Sequence, residues 1–140
     1  MQIRFKKVRA NAPAPRQGSK GAAGFDLTVC AVEKISVRQF RYYSGIAVEI
    51  PDGYVGLVFP RSSIYRMDNR MSNAVGVIDS DYRGEITGVF DVGYCPTRSY
   101  NLGDRFAQLV IVKIPTVEYV EAHTLTATER GANGYGSTGR

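Results

Sequence analysis

The chain has 140 residues, of which 44 % are hydrophobic and 22 % charged, and a net charge of +5. That length suits one domain with a real core and excludes two comfortable ones. The basic residues are scattered through loops rather than gathered on one stripe, which argues against a nucleic-acid-binding module.

Neither an amino-terminal apolar h-region nor a run of 18 apolar residues is present. Cys30 and Cys95 are far apart and form no CxxC. These features predict a cytoplasmic protein without membrane association, or one of the host cytoplasm if it is phage-encoded.

In chain order, residues 3–8 alternate as a strand, with Arg4, Lys6, Lys7 and Arg9 as its solvated basic face. Residues 11–24 carry Pro13, Pro15, Gly18, Gly21 and Gly24 and read as loop. Phe25-Asp26-Leu27-Thr28-Val29 has period two, which sets Asp26 opposite Phe25, Leu27 and Val29. Strand patterns follow at 35–37, 45–50 and 54–59, with Pro51-Asp52-Gly53 as a turn. Residues 62–68 form the one short helical stretch, with Ser62 or Ser63 as its cap.

Val75–Ile78 and Glu85–Val92 read as two strands of a hairpin around the polar segment 79–84. Phe106–Ile114 is the most apolar run, and Val117–Val120 would extend the sheet beyond Pro115. The sum is an all-β single domain, a distorted jelly roll or barrel-like fold with one short helix. The glycine-rich tail is the odd part, since it also holds Arg130, Tyr135, Ser137 and Thr138.

The chemistry must come from carboxylates, arginines and glycines. His123 stands alone, which disfavours a zinc site, and no P-loop or dinucleotide fingerprint occurs. Asp79, set behind Val77 and Ile78, could act as general base for a water, or could simply cap a polar turn. Extended backbone would put Asp79 and Asp81 on one face. Arg61-Ser62-Ser63 offers a donor fork and N–H groups for an anion. The tail offers Arg130, glycine N–H groups, Ser137 and Thr138 for the same purpose, or is a solubilising terminus. Gln108, inside the apolar run, needs a partner: a phosphate, a water or neighbouring strand backbone. Asn73 has a donor and an acceptor that suit a pyrimidine edge, or it belongs to a structural network.

Five segments in order resemble the motifs of the trimeric deoxyuridine triphosphate nucleotidohydrolases, the dUTPases. They are Ala23-Gly24-Phe25-Asp26-Leu27, Pro60-Arg61-Ser62-Ser63, the stretch Gly76-Val77-Ile78-Asp79-Ser80-Asp81-Tyr82-Arg83-Gly84-Glu85, Gly103-Asp104-Arg105-Phe106-Ala107-Gln108-Leu109, and the tail from Arg130 to Gly139. The third and fifth are long and specific, and together the five span residues 23–139.

The resemblance implies a homotrimer that binds dUTP at sites shared between subunits. One subunit supplies the first, second and fourth motifs, another the third, and a third its mobile arm. It implies a core over 1–123 and an arm over 124–140. Asp79 would activate the water that attacks the α-phosphorus, giving dUMP and pyrophosphate, with Gln108 beside it. Tyr82 would pack under the deoxyribose and exclude a 2′-hydroxyl. Asn73, Thr87 and the Gly76, Val77, Ile78 and Asp79 backbone would line the uracil pocket. Arg61, Ser62 and Ser63 would hold phosphate, as would Arg130, Gly136, Ser137 and Thr138, while Tyr135 stacks on uracil. Mg2+ would be bound by the triphosphate and waters, with no direct side-chain ligand and Asp26 reached through water.

Three positions depart from the commonest family pattern: Ser63 for glycine, Tyr135 for phenylalanine, and Phe106 for an aliphatic residue expected to pack in the core. Two alternatives differ in kind. A dCTP deaminase of the same fold is disfavoured by the intact fifth motif. A phage or host protein-interaction module with secondary catalysis is disfavoured by the presence of Asp79, Tyr82 and the tail.

Overall fold

Alternating apolar residues fix which strand faces meet. The structure, a computed structural model, describes residues 1–93 and 98–134. Among them are eleven strands: β1 (Arg4–Lys7), β2 (Arg16–Gln17), β3 (Phe25–Thr28), β4 (Ala31–Ser36), β5 (Gln39–Tyr43), β6 (Ile46–Glu49), β7 (Tyr54–Pro60), β8 (Asn69–Met71), β9 (Gly76–Ile78), β10 (Thr87–Val92) and β11 (Arg105–Lys113). They form a five-stranded sheet in the order β2-β3-β11-β7-β9, a four-stranded sheet β4-β5-β10-β8, and the pair β1-β6. Every pairing is antiparallel. This is the all-β architecture the sequence predicts, and no described helix is long and apolar enough to cross a membrane.

The two larger sheets meet through aromatic rings. Gly88, Phe90 and Val92 are the buried face of β10. Phe90 and Tyr42, from the four-stranded sheet, approach Phe106 of β11 with ring centroids 6.1 and 6.0 Å apart. Tyr100 packs edge-on against both Tyr42 and Phe90. Phe106 is fully buried, as expected of its place in the apolar run. Burying a ring of this size contributes about 1.5–3 kcal/mol. Leu27, Ile46, Val58, Ile86 and Leu109 complete the core around it.

Three expectations need correction. Strands β9 and β10 do not form a hairpin. β9 pairs with β7 in one sheet, while β10 pairs with β5 and β8 in the other. Segment 79–86 therefore arches from sheet to sheet. The helical stretch is a 3-10 turn, Ser62–Arg66, and Arg61 occupies its cap position without a side-chain capping bond, so neither serine caps it. Val117–Val120 is not in a strand, and Val117, Tyr119 and Val120 are exposed. Phe25 is 38 % exposed, whereas Leu27 and Val29 on the same face are buried.

Tyr100 is buried, yet its hydroxyl has no partner among the described residues. Burial pushes its phenol above the ordinary value of 10.0. The fold thus favours the neutral phenol. That contribution is complete below the ordinary value and is lost as pH rises through the raised one. Tyr100→Phe removes an unpartnered hydroxyl. Thermal melts at neutral and alkaline pH should show an equal or higher midpoint for this variant at neutrality, and a smaller loss in alkali.

Candidate active site

Adjacent strands of the five-stranded sheet gather three of the five motifs. β11 lies between β3 and β7, with Gln108 opposite Asp26 on one side and Phe59 on the other. Arg61 follows directly after β7. Its Nε donates to Asp26 Oδ1 at 2.8 Å, and Arg105 Nη1 donates to Asp26 Oδ2 at 2.9 Å. The Asp26 side chain is only 12 % exposed, so the carboxylate is held tightly between two guanidinium groups. Arg61 is oriented through Nε, and its terminal nitrogens make no hydrogen bond among the described residues. That leaves a planar donor edge available for an anion.

Gln108 reaches the backbone of the neighbouring strand, where Nε2 donates to the Pro60 carbonyl at 3.3 Å. Its Oε1 lies against Gly24, where a Cβ would sit 3.1 Å away. The first motif thus touches the fourth, and the fourth touches the second. Ser62 is exposed and Ser63 half-buried on the 3-10 turn, beside Arg61. Their hydroxyls are unengaged among the described residues.

The third motif is built separately. A turn closes when Tyr82 N–H donates to the Asp79 carbonyl at 3.2 Å. Arg83 Nη1 braces it by donating to the Ser80 and Tyr82 carbonyls at 2.6 and 2.9 Å. Asp79 and Asp81 are therefore not on an extended strand. The Asp79 side chain is exposed and makes no hydrogen bond or ion pair among the described residues. It has no capping role there. The Tyr82 ring lies on Gly84, where a Cβ would meet the tyrosine oxygen at 2.3 Å, so only glycine fits beneath it. Tyr82 Oη donates to the Glu85 carbonyl at 3.1 Å. Thr87 opens β10 and is half-buried.

Asn73 lies before β9, with its Nδ2 3.7 Å from where a Gly76 Cβ would be. The next residue, Ala74, has φ 56° and is the one described non-glycine in the left-handed region. Such a backbone strains an L side chain. Val77 is exposed and Ile78 half-buried.

The two constructions stand apart. Gly56 pairs with Ile78, so Asp79 sits level with Val55, whereas Arg61 lies just past the other end of β7. Six residues of extended strand separate these levels by about 20 Å. Within one chain, the Asp79 carboxylate and the Arg61 guanidinium are therefore not brought to a common point.

After Ile114, no described residue hydrogen-bonds back to the sheets. Arg130 is exposed and begins a turn in which its carbonyl accepts from Asn133 N–H at 3.1 Å. Tyr135, Gly136, Ser137 and Thr138 lie outside the described residues, as does Cys95. No group of three or more His, Cys, Asp or Glu among the described residues is placed to hold a metal ion. Asp26 has each oxygen engaged by an arginine, which leaves further lone pairs for water but no open bidentate edge. Sequence reading missed Arg105 and Glu85 as members of these networks. Both lie inside the motif segments, but their partners are distant in sequence.

Comparison with known proteins bears on all five motifs at once. A family model described as dUTPase matches residues 10–139. The deoxyuridine 5′-triphosphate nucleotidohydrolase of Hydrogenobaculum sp. is 38 % identical, covering 99 % of this chain and 99 % of its own. That of Corynebacterium glutamicum is 41 % identical, covering 99 % and 95 %. Among solved structures, the dUTPase of Staphylococcus bacteriophage 80alpha with dUPNHPP superposes with a TM-score of 0.85 at 25 % identity, over 99 % of both chains. With a family match through every motif and relatives aligned from end to end, the chain belongs to the dUTPase family.

Proposed function

We infer that this protein hydrolyses dUTP to dUMP and pyrophosphate. The observation that carries the reading is Asp79: an exposed carboxylate, without an internal partner, on a braced turn inside the family's long third motif. The relatives are themselves deoxyuridine 5′-triphosphate nucleotidohydrolases, matched along their full length.

In this reaction Asp79 takes a proton from a water as the water oxygen bonds to the α-phosphorus. The bond from that phosphorus to the bridging oxygen breaks, and its electron pair leaves with pyrophosphate. The proton passes from Asp79 to solvent. Gln108 orients the water from the fourth motif. Arg61, Ser62 and Ser63 hold the phosphates, and Asp26 and Arg105 keep Arg61 aimed. Asn73, Thr87 and the 76–79 backbone read uracil, and Tyr82 lies under the deoxyribose, where a 2′-hydroxyl has no room.

Mg2+ bound to the triphosphate would neutralise charge and fold the phosphates for attack. The donor set fits a metal carried in by substrate and waters rather than one held by the protein, with Asp26 as a water-mediated contact.

The separation along β7 favours a homotrimer whose sites join Asp79 and Tyr82 of one copy to Arg61 and Gln108 of another. Residues 124–140 act as an arm from a third copy, supplying Arg130, Gly136, Ser137 and Thr138 to the phosphates and Tyr135 to the base. The exposure of described residues 115–134 and their lack of hydrogen bonds to the sheets support this role. The nucleotide pool it acts on is cytoplasmic, of a host cell if the chain is phage-encoded.

Assay of dUTP, UTP, dTTP and dCTP with magnesium should show turnover of dUTP and near-silence for the others. Asp79→Asn should lower kcat by about 10²–10⁴-fold with little change in thermal midpoint. Full activity in that variant would remove Asp79 from the chemistry. A mixing experiment addresses the shared site. Co-expressed Asp79→Asn and Arg61→Ala chains, each inactive alone, should regain roughly a quarter of wild-type sites if each site draws on two copies of a cyclic trimer. No recovery from stable mixed trimers would put both residues in one chain's site.

A further inference from the structure

Glu85 stands three residues beyond Tyr82, and its carboxylate has no role in the reaction above. Its side chain is only 17 % exposed. Arg9 Nε donates to both of its oxygens, at 2.8 and 3.1 Å, and Gly45 N–H donates to Oε1 at 2.7 Å. The Arg9 guanidinium also lies over the Tyr43 ring, 4.5 Å from its centroid. Gly45 has φ 71°, and a Cβ there would come within 2.5 Å of Ala12 Cβ, so the corner accepts no larger residue.

The next residue is fixed to the same corner. Ile86 N–H donates to the Ile46 carbonyl at 2.8 Å, and Ser44 donates to the Ile86 carbonyl from both N–H and Oγ, at 3.2 and 2.7 Å. Residues 85 and 86 are thus a fixed post at the end of the arch. Tyr82 rests on that post through its hydroxyl and over Gly84. Pairing with β7 fixes the other end of the arch. Arg9, the only side chain in an ion pair with Glu85 among the described residues, lies one position before the matched family range.

We propose that Arg9 and Glu85 are a positioning pair that holds the Tyr82 ring at the height separating deoxyribose from ribose. The pair acts through the Glu85 backbone, to which Tyr82 Oη is bonded. The proposal rests on Tyr82 being the residue that faces the sugar. Its signature is a loss of selectivity beyond any loss of stability.

The experiment measures kcat/KM for dUTP and UTP with full-length wild type, Arg9→Met, Arg9→Lys, Glu85→Gln, Tyr82→Ala and the double variant Arg9→Met/Tyr82→Ala. Arg9→Met should reduce the preference for dUTP by about fivefold or more. Arg9→Lys, which keeps the charge, should recover part of it. Glu85→Gln keeps an acceptor for Gly45 and should fall between wild type and Arg9→Met. The double variant should be no less selective than Tyr82→Ala alone. Amide hydrogen exchange over residues 80–87 should quicken in Arg9→Met.

Wild-type preference in Arg9→Met, whatever its melting point, overturns the pair when Tyr82→Ala has lost selectivity. Unchanged preference in Tyr82→Ala overturns the sugar-facing assignment and the pair with it. Should Arg9→Met be inactive, unchanged exchange over residues 80–87 overturns the pair.

Discussion

Strand β7 is paired on both edges, to β11 and to β9, and a paired strand has a fixed rise per residue. The arrangement of functional groups depends on that rigidity. One end of β7 delivers Arg61 beside Asp26 and Gln108. The other end is level with Asp79. No side-chain rotation spans about 20 Å, since even a long side chain reaches only a fraction of the six-residue strand between them. In the shared site proposed above, these two ends would meet between copies of the chain.

Each end is stiffened by a different kind of contact. At the Arg61 end the restraint is charge. A mostly buried Asp26 carboxylate is tolerable because two guanidinium groups meet it, and either arginine alone would leave it less well compensated. At the Asp79 end the restraint is mainly backbone hydrogen bonding and contact. Arg83 braces the turn, Gly84 lets the Tyr82 ring lie flat, and the Ser44–Ile46 corner grips Ile86. Asp79 is left out of both schemes. Its carboxylate, unengaged among the described residues, is free for the general-base role proposed above.

Much of this was legible in the sequence, and the reasons for the remainder are physical. Period two identified β3, a strand pattern closed by Pro60 identified β7, the most apolar run identified β11, and the five ordered segments pointed to the family. The hairpin over 75–92 was misread because two strands and a polar turn look the same whether the strands pair with each other or part into facing sheets. Only long-range pairing decides, and here β7 captures β9 while β5 and β8 take β10. Strand β8 is three residues long and β2 two, too short for any period to register. The Arg9–Glu85 pair spans 76 positions, and local pattern carries no information at that separation. Gln108 had three possible partners by chemistry, and the register of β7 against β11 selects the Pro60 carbonyl.

The cluster around Asp26 also has a surplus of charge. Arg16 is opposite Asp26 in the β2–β3 register, and Arg61 and Arg105 bond to it, so three cations accompany one anion. At close range the carboxylate orients its neighbours. At longer range these groups sum to a positive charge, on a chain that already carries +5. A polyanion diffusing past is drawn toward this rim before any hydrogen bond forms, and dissolved salt weakens that pull over a length of about 8 Å at physiological ionic strength. The carboxylate that sets the geometry of Arg61 therefore also sets the strength of that pull, since it offsets one of the three positive charges.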